Sequence, residues 1–499
     1  MKKGPMITFS QLVTVFLIGM GMWGCTTTTN QTEVSEKATP KWHQEIARIS
    51  ELAKADSSVS DFVQMTLVPD TLGFYLPAIQ SPVAAHSNGV WVLFGGRKAG
   101  LHSMNNNPPA FNTLQANDSI WVVDLANQRS MGVPVPPSYF KYLAASSQQY
   151  FQDGDLLYVN GGFTFSDSSS TLVSNWTSDA FFEINVPSLI QYVTIGGTSP
   201  DLDQVFTKFL RDPYLQVTGG EMIESNGNFY IVGGHNYQGA YQPGKTGKYT
   251  NAIRKFELSM VGNAWAVTDT LTLSDPENLH RRDFNLAEVI LPDEDSIGVV
   301  IMGGVFTPDD MAYQSPVYIN GLASGNPSIE VDTVTQQNVN LYSSAKINSV
   351  MAAGEYRVNR IALLGGITYK AYNKDSGGLV IPPITEVLPF SNLMSSYYTN
   401  GEDETVELVQ LPPNELLPGY LGTNAVFFPV SDYLYGSSSN VIDLNKVFPD
   451  SVTGPVLVGY MYGGILSPAA ITFSPRGPRS TTTNPVLYEV YMSIPNVNQ

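Results

Sequence analysis

Cysteine is all but missing from this chain: Cys25 is the single thiol in 499 residues. No disulfide can therefore staple the fold, and no paired Cys-x-x-Cys can hold a structural zinc. Histidine is scarce too, five in all, without HExxH or comparable ligand spacing; His86 and His102 stand scattered. No metal and no other cofactor is expected. Charged residues make up only 14%, and Lys+Arg (26) are outnumbered by Asp+Glu (44), giving a net charge of −18. Phosphate backbones need cationic neutralisation, so nucleic acid is not an expected partner. GKTGK (244–248) lacks the Walker spacing, DSGG (375–378) opens no helix, and neither is a phosphate loop. Beyond the N-terminus no apolar run is long enough to cross a bilayer.

The N-terminus is the exception. MKKGPMITFSQLVTVFLIGMGMWGC sets Lys2 and Lys3 before an apolar stretch that ends at Cys25. That is the pattern of a secretion signal, outside the fold. Gly24-Cys25 resembles a bacterial lipobox, in which a small residue precedes the cysteine that is lipidated; Met22 and Trp23 depart from the usual residues. The expectation is a lipoprotein signal over 1–24 with Cys25 as the lipidation site; an uncleaved anchor is the alternative. The resulting location is the cell envelope, on the outer membrane, with the membrane contacted through the lipid alone. TTTTNQTEVSEKATP then reads as a tether. Trp42, Ile46, Ile49, Leu52 and Ala53 give 41–55 the spacing of a short amphipathic helix, within a segment running over 25–60. The sequon at Asn175 says little in an exported bacterial chain.

From residue 61 onward the sequence repeats. Six apolar runs each end in a glycine pair, at Gly95, Gly161, Gly233, Gly303, Gly365 and Gly463. The intervals are 66, 72, 70, 62 and 98 residues. In the third unit, strand candidates at 214–224, 228–234, 252–260 and 265–273 are joined by turns. Four strands in a meander make a propeller blade. Third strands recur at 119–125, 180–186, 316–321, 385–390 and 487–494, and fourth strands at 129–135, 189–195, 329–335 and 405–411. The last unit has no fourth strand, whereas 62–70 (FVQMTLVPD) has that pattern and no blade of its own. The expected architecture is all-β: a six-bladed β-propeller over 61–499, closed by the N-terminal strand, because closure removes open sheet edges.

An apolar strand, Gly-Gly, a loop and an aromatic-containing third strand make each unit similar to the kelch repeat. The resemblance spans roughly 62–495, though these repeats are longer than the family's usual period and the third-strand Trp is clear only at Trp121. Among the enzymes it suggests, galactose-oxidase-like copper proteins depend on a cysteine crosslinked to tyrosine. Cys25 belongs to the signal, which excludes that chemistry. Sialic-acid mutarotases are the other suggestion, and Arg281, Arg282 and Glu288 would then serve in the channel.

Loops that follow second strands share one face of a propeller with the approaches to the innermost strands, and function gathers in such loops. Five approaches carry a tyrosine, at Tyr75, Tyr139, Tyr214, Tyr342 and Tyr420; the remaining one reads His280-Arg281-Arg282-Asp283. The functional reading is a ring of aromatic faces with one charged segment, suited to sugar rings or peptide side chains. Packing between blades is the alternative for the tyrosines, and pairing of Arg282 with Asp283 for the cluster. His235 and Arg97, each following a glycine pair, belong to the same face. The expected function is a binding or scaffold module with a glycan or protein ligand. The alternative is a carbohydrate-active enzyme of the sialic-acid mutarotase or epimerase type.

Overall fold

The computed structural model describes residues 61–494, apart from 103–109, 166–174, 199–200, 240, 242–246, 292–296, 354–355, 382–387, 400–404, 411–415, 439, 450–453, 472, 475–476 and 479–480. The signal, Cys25, the tether and the 41–55 helix lie outside the described residues.

Six antiparallel sheets follow one another along the chain. Blade one is Val83–Ser87, Val90–Phe94, Ser119–Asp124 and Arg129–Pro134. Blade two is Gln149–Asp153, Leu156–Asn160, Ala180–Asn185 and Phe206–Arg211; blade three is Glu221–Ser225, Asn228–Val232, Ala252–Val261 and Ala264–Ser274. Blade four is Asn285–Ile290, Ile297–Met302, Val317–Asn320 and Ser328–Val331; blade five is Ala345–Ala353, Tyr356–Leu364, Met394–Thr399 and Thr405–Gln410. Blade six takes Tyr420–Pro429, Val456–Ser467 and Leu487–Ser493 from the end of the chain and its outer strand, Gln64–Pro69, from the beginning. The closing register runs antiparallel from Gln64↔Ser493 to Pro69↔Tyr488. The chain is a six-bladed β-propeller, closed as the missing fourth strand implied.

The glycine pairs hold neighbouring blades together. Both residues of every pair have positive φ, a conformation that costs glycine little. The turn this makes aims the second amide at the next blade's approach. Gly96, Gly162, Gly234, Gly304 and Gly366 donate to the carbonyls of Ala145, Val217, Arg281, Leu341 and Leu421, and Gly464 closes the circle onto Ile79 at 2.9 Å. A Cβ on Gly365 would stand 1.8 Å from the Leu421 oxygen, so no other residue fits there.

Three strand assignments from the pattern need correction. Residues 189–195 are not the outer strand of blade two; Val186–Thr194 is a helix, and Phe206–Arg211 takes the strand position. Asn185 Oδ1 caps it by accepting the Ser188 amide at 2.9 Å, and Pro187 stands in its first turn. Val186, Leu189, Tyr192 and Val193 are buried at helical spacing against blade one. The third strand of blade five is Met394–Thr399 rather than 385–390, of which 385–387 lie outside the described residues. Its buried Ser395 and Ser396 are satisfied by Asn340 Oδ1 and Asp61 Oδ2, so a core strand carries a polar sequence. The inner strand of blade three starts at Glu221 rather than 214, because Asp212 caps a 3₁₀ turn at Pro213–Leu215. The blade-six insertion, 431–453, places Val441–Asp443 parallel to the inner strand of blade five, with Val441 packed on Ile290 and Val350.

Candidate functional site

Ser81, Ser147, Gly219, Asp283 and Ser343, each two residues before an inner strand, and Asn424, within the inner strand of blade six, occupy equivalent positions, and all six have positive φ. Five of their amides donate to the carbonyl of the neighbouring position: Ser81 to Asn424, Asn424 to Ser343, Ser343 to Asp283, Asp283 to Gly219, and Gly219 to Ser147. The result is a backbone ring at the channel mouth. Gly, Asn and Asp tolerate this left-handed geometry most readily, and serine holds it at the other three positions. Asp283 contributes the ring's one charged side chain.

Above the ring, the residue preceding each ring position pairs with the residue following each glycine pair. The bridges are Gln80↔Arg97, Ser146↔Phe163, Thr218↔His235, Arg282↔Val305 and Tyr342↔Ile367, with Thr423↔Ile465 in blade six. Backbone register alone therefore brings Arg97, His235, Arg282, Asp283 and Tyr342 to one recess of about 80 Å³. These are the expected residues that the fold gathers.

Their chemistry is specific. His235 Nδ1 lies 3.1 Å from the Thr218 carbonyl and donates to it, so Nε2 is left to accept from Arg282 Nη1 at 3.5 Å. Burial, reinforced by the Arg282 charge, lowers the imidazole to about 3, so it is neutral at physiological pH. Arg282 Nε stands 3.5 Å from Asp283 Oδ2, and its guanidinium lies 5.2 Å from the Phe306 ring centre. Tyr342 donates its hydroxyl to Asp283 Oδ2 at 3.1 Å. Burial raises the Asp283 carboxyl, against the pull of Arg282 and Tyr342. Arg97, 5% exposed, donates to the Ala110 carbonyl at 3.0 Å and Gln115 Oε1 at 2.8 Å. Burial lowers it to about 10, and no carboxylate pairs with it among the described residues. Among the described residues, two buried guanidiniums and one carboxylate thus line the recess.

An aromatic wall stands beside them. Arg97 lies 4.5 Å over the Phe111 ring; Phe111 meets Phe163 at 5.2 Å and Tyr241 at 5.4 Å, and Tyr237 meets Tyr241 at 5.6 Å. Phe111, Phe163, Tyr237 and Tyr241 went unrecognised in the sequence. The register after the glycine pairs could have found Phe163; the others sit on long loops without a repeating position.

The remaining expected residues stand elsewhere. Tyr75 is 67% exposed and rests near Trp121. Tyr139 donates to Asp203 and packs on Phe206, while the Tyr214 hydroxyl donates to the Leu271 carbonyl. Tyr420 packs beside Ile367, Phe390 and Ile465. None of the four lines the recess, so the tyrosine ring does not form. The cause is spacing: Tyr342 comes just before its ring residue, whereas the others lie farther back along their approaches or, for Tyr420, in the strand itself. His280 stacks on Tyr249 at 3.8 Å and bonds Asn251. Arg281 points away from the channel, donating to the Gly303 and Ser315 carbonyls beneath Tyr313. Among the described residues no cluster of His, Cys, Asp and Glu could hold a metal ion.

What the sheets define is a six-bladed propeller with a cationic, aromatic recess at the channel mouth. No family model and no curated protein matches the chain. A solved structure titled "Structure of YjhT" aligns with 83% of this chain and 100% of its own, at 11% identity and a TM-score of 0.42. The fold stands on the strand pairings themselves.

Proposed function

We propose that this is an exported, lipid-anchored kelch-type propeller that binds an acidic glycan at the channel mouth. The observation that carries this reading is the charge balance: Arg97 and Arg282 are both buried, and among the described residues lining the recess Asp283 alone opposes them. A buried charge without a partner is costly, and an incoming carboxylate removes that cost while accepting charge-assisted hydrogen bonds. The wall of Phe111, Phe163, Tyr237 and Tyr241 offers faces for a sugar ring. A recess of this size suits a terminal sugar better than a broad protein surface. Calorimetry with galacturonate and galactose tests the reading. Galacturonate should bind at least about tenfold more tightly, and Arg282→Gln should remove the difference. Equal affinity for the two sugars would defeat it. The envelope location rests on Lys2, Lys3 and Cys25; Cys25→Ser should abolish the mass added by lipid and release the chain from membranes.

One observation favours an enzyme of the mutarotase or epimerase type. Burial raises Glu288, inside the channel, to about 7, a value suited to proton transfer at neutral pH. Arg281, turned away from the channel, has no part in that reading. Faster anomer exchange of galacturonate by NMR, lost in Glu288→Gln, would support it; exchange at the uncatalysed rate would rule it out.

A further inference from the structure

Below the ring the charge balance reverses. The inner strands enclose a chamber of about 210 Å³ that shares Ser81, Ser147, Gly219, Asp283 and Asn424 with the mouth. Glu221 and Glu288 face it, with Lys346 Nζ 3.8 Å from Glu221 Oε1 as the opposing ammonium. Glu288 Oε1 accepts from Asn440 Nδ2 at 2.9 Å, which brings the blade-six insertion to the chamber wall. Asn348 is 4% exposed and lines the same space, yet its Oδ1 accepts no hydrogen bond. Lys346, paired with Glu221 and also acting on Glu288, is one ammonium for two glutamates, and acceptors are in surplus.

We propose that the chamber receives an ammonium group, so that the ligand is a zwitterion with its carboxylate at Arg97 and Arg282. The inference rests on the mouth being an anion site. An ammonium supplies three donors and no acceptor, matching Asn348 Oδ1 and the glutamate oxygens. A second carboxylate would meet Glu221 and Glu288 instead. Glu221 comes two residues after Gly219, and Glu288 five after Asp283. At strand rise this puts the ammonium roughly 7–17 Å below the ring. The ligand class is therefore an acidic molecule bearing an amine at the far end of an extended arm, such as a long-chain ω-amino acid.

Titration of the full chain with 8-aminooctanoate and with octanoate, by calorimetry, separates the two sites. The amino acid should bind about tenfold more tightly than the plain acid. Glu221→Gln and Glu288→Gln should close that gap by weakening the amino acid alone, while Arg97→Gln should weaken both. Should the glutamine variants fold poorly, Asn348→Asp serves instead, and should tighten the amino acid severalfold without affecting octanoate. Equal affinities in the wild type, or a gap that survives the glutamate changes, overturns the chamber and leaves the mouth standing. If Arg97→Gln affects neither compound, or neither binds, the mouth reading falls and the chamber with it.

Discussion

Arg281 and Arg282 are adjacent, yet one holds the fold and the other faces the channel. The sequence made His280-Arg281-Arg282-Asp283 the densest chemical cluster, but strand alternation decides which side chain points inward, and that depended on locating the ring residue. Arg97 and His235 were legible because they follow glycine pairs. Glu221, Lys346 and Asn348 were not, since nothing local distinguishes a channel-facing polar residue from one facing solvent. Glu288 carries a pH prediction. Burial raises its carboxyl from 4.5 to about 7, so the folded protein holds the proton more tightly than the unfolded chain. That stabilisation is complete below the unfolded value and is lost as pH rises through about 7. His235, lowered to about 3, opposes it by losing stability as pH falls below 6.5. Melting of wild type and Glu288→Gln between these limits isolates Glu288, because His235 is common to both. The variant should gain stability relative to wild type as pH rises from 4.5 toward 7. A constant difference across that range would contradict the assignment.

The elements that departed from the pattern did so where tertiary contacts overrode local propensity. LIQYVTI is rich in β-branched residues and reads as a strand, but Asn185, Pro187 and a buried face against blade one make it helix. Met394–Thr399 hides a core strand behind serines whose partners, Asn340 and Asp61, are remote in sequence. By contrast the closing strand was legible, because alternation in 62–70 had no other blade to join. Its anchor was not. Asp61 accepts from Arg360 Nη2 at 2.9 Å, Ser396 Oγ at 2.6 Å and Tyr398 hydroxyl at 2.6 Å, tying the start of the strand to blade five. Arg360 is 0% exposed. Asp61→Ala strands that buried guanidinium and should cost about 3–5 kcal/mol in chemical denaturation. A loss below about 1 kcal/mol would mean that the cluster does not secure the closure.

At the scale of the whole molecule, one geometric device serves both stability and function. Each glycine pair staples its blade to the next, and the same register delivers the following residue to the channel mouth. Four of the six residues so delivered, Arg97, Phe163, His235 and Ile465, line one recess, and two of them, Arg97 and His235, carry the polar chemistry there. The blade count and the face were readable from glycine spacing. The recess itself was not, because the long loops that bring Phe111, Tyr237 and Tyr241 over the mouth follow no repeat. The central claim is that Arg97, with no carboxylate partner among the described residues, is kept buried for the sake of an acidic ligand, at the expense of stability. Thermal melting of wild type and Arg97→Gln, each with and without galacturonate, tests it most directly. The account predicts that unliganded Arg97→Gln melts no lower than wild type, and that galacturonate raises the melting temperature of wild type only. A sharp fall in the variant's melting temperature, with the galacturonate shift retained, would contradict it.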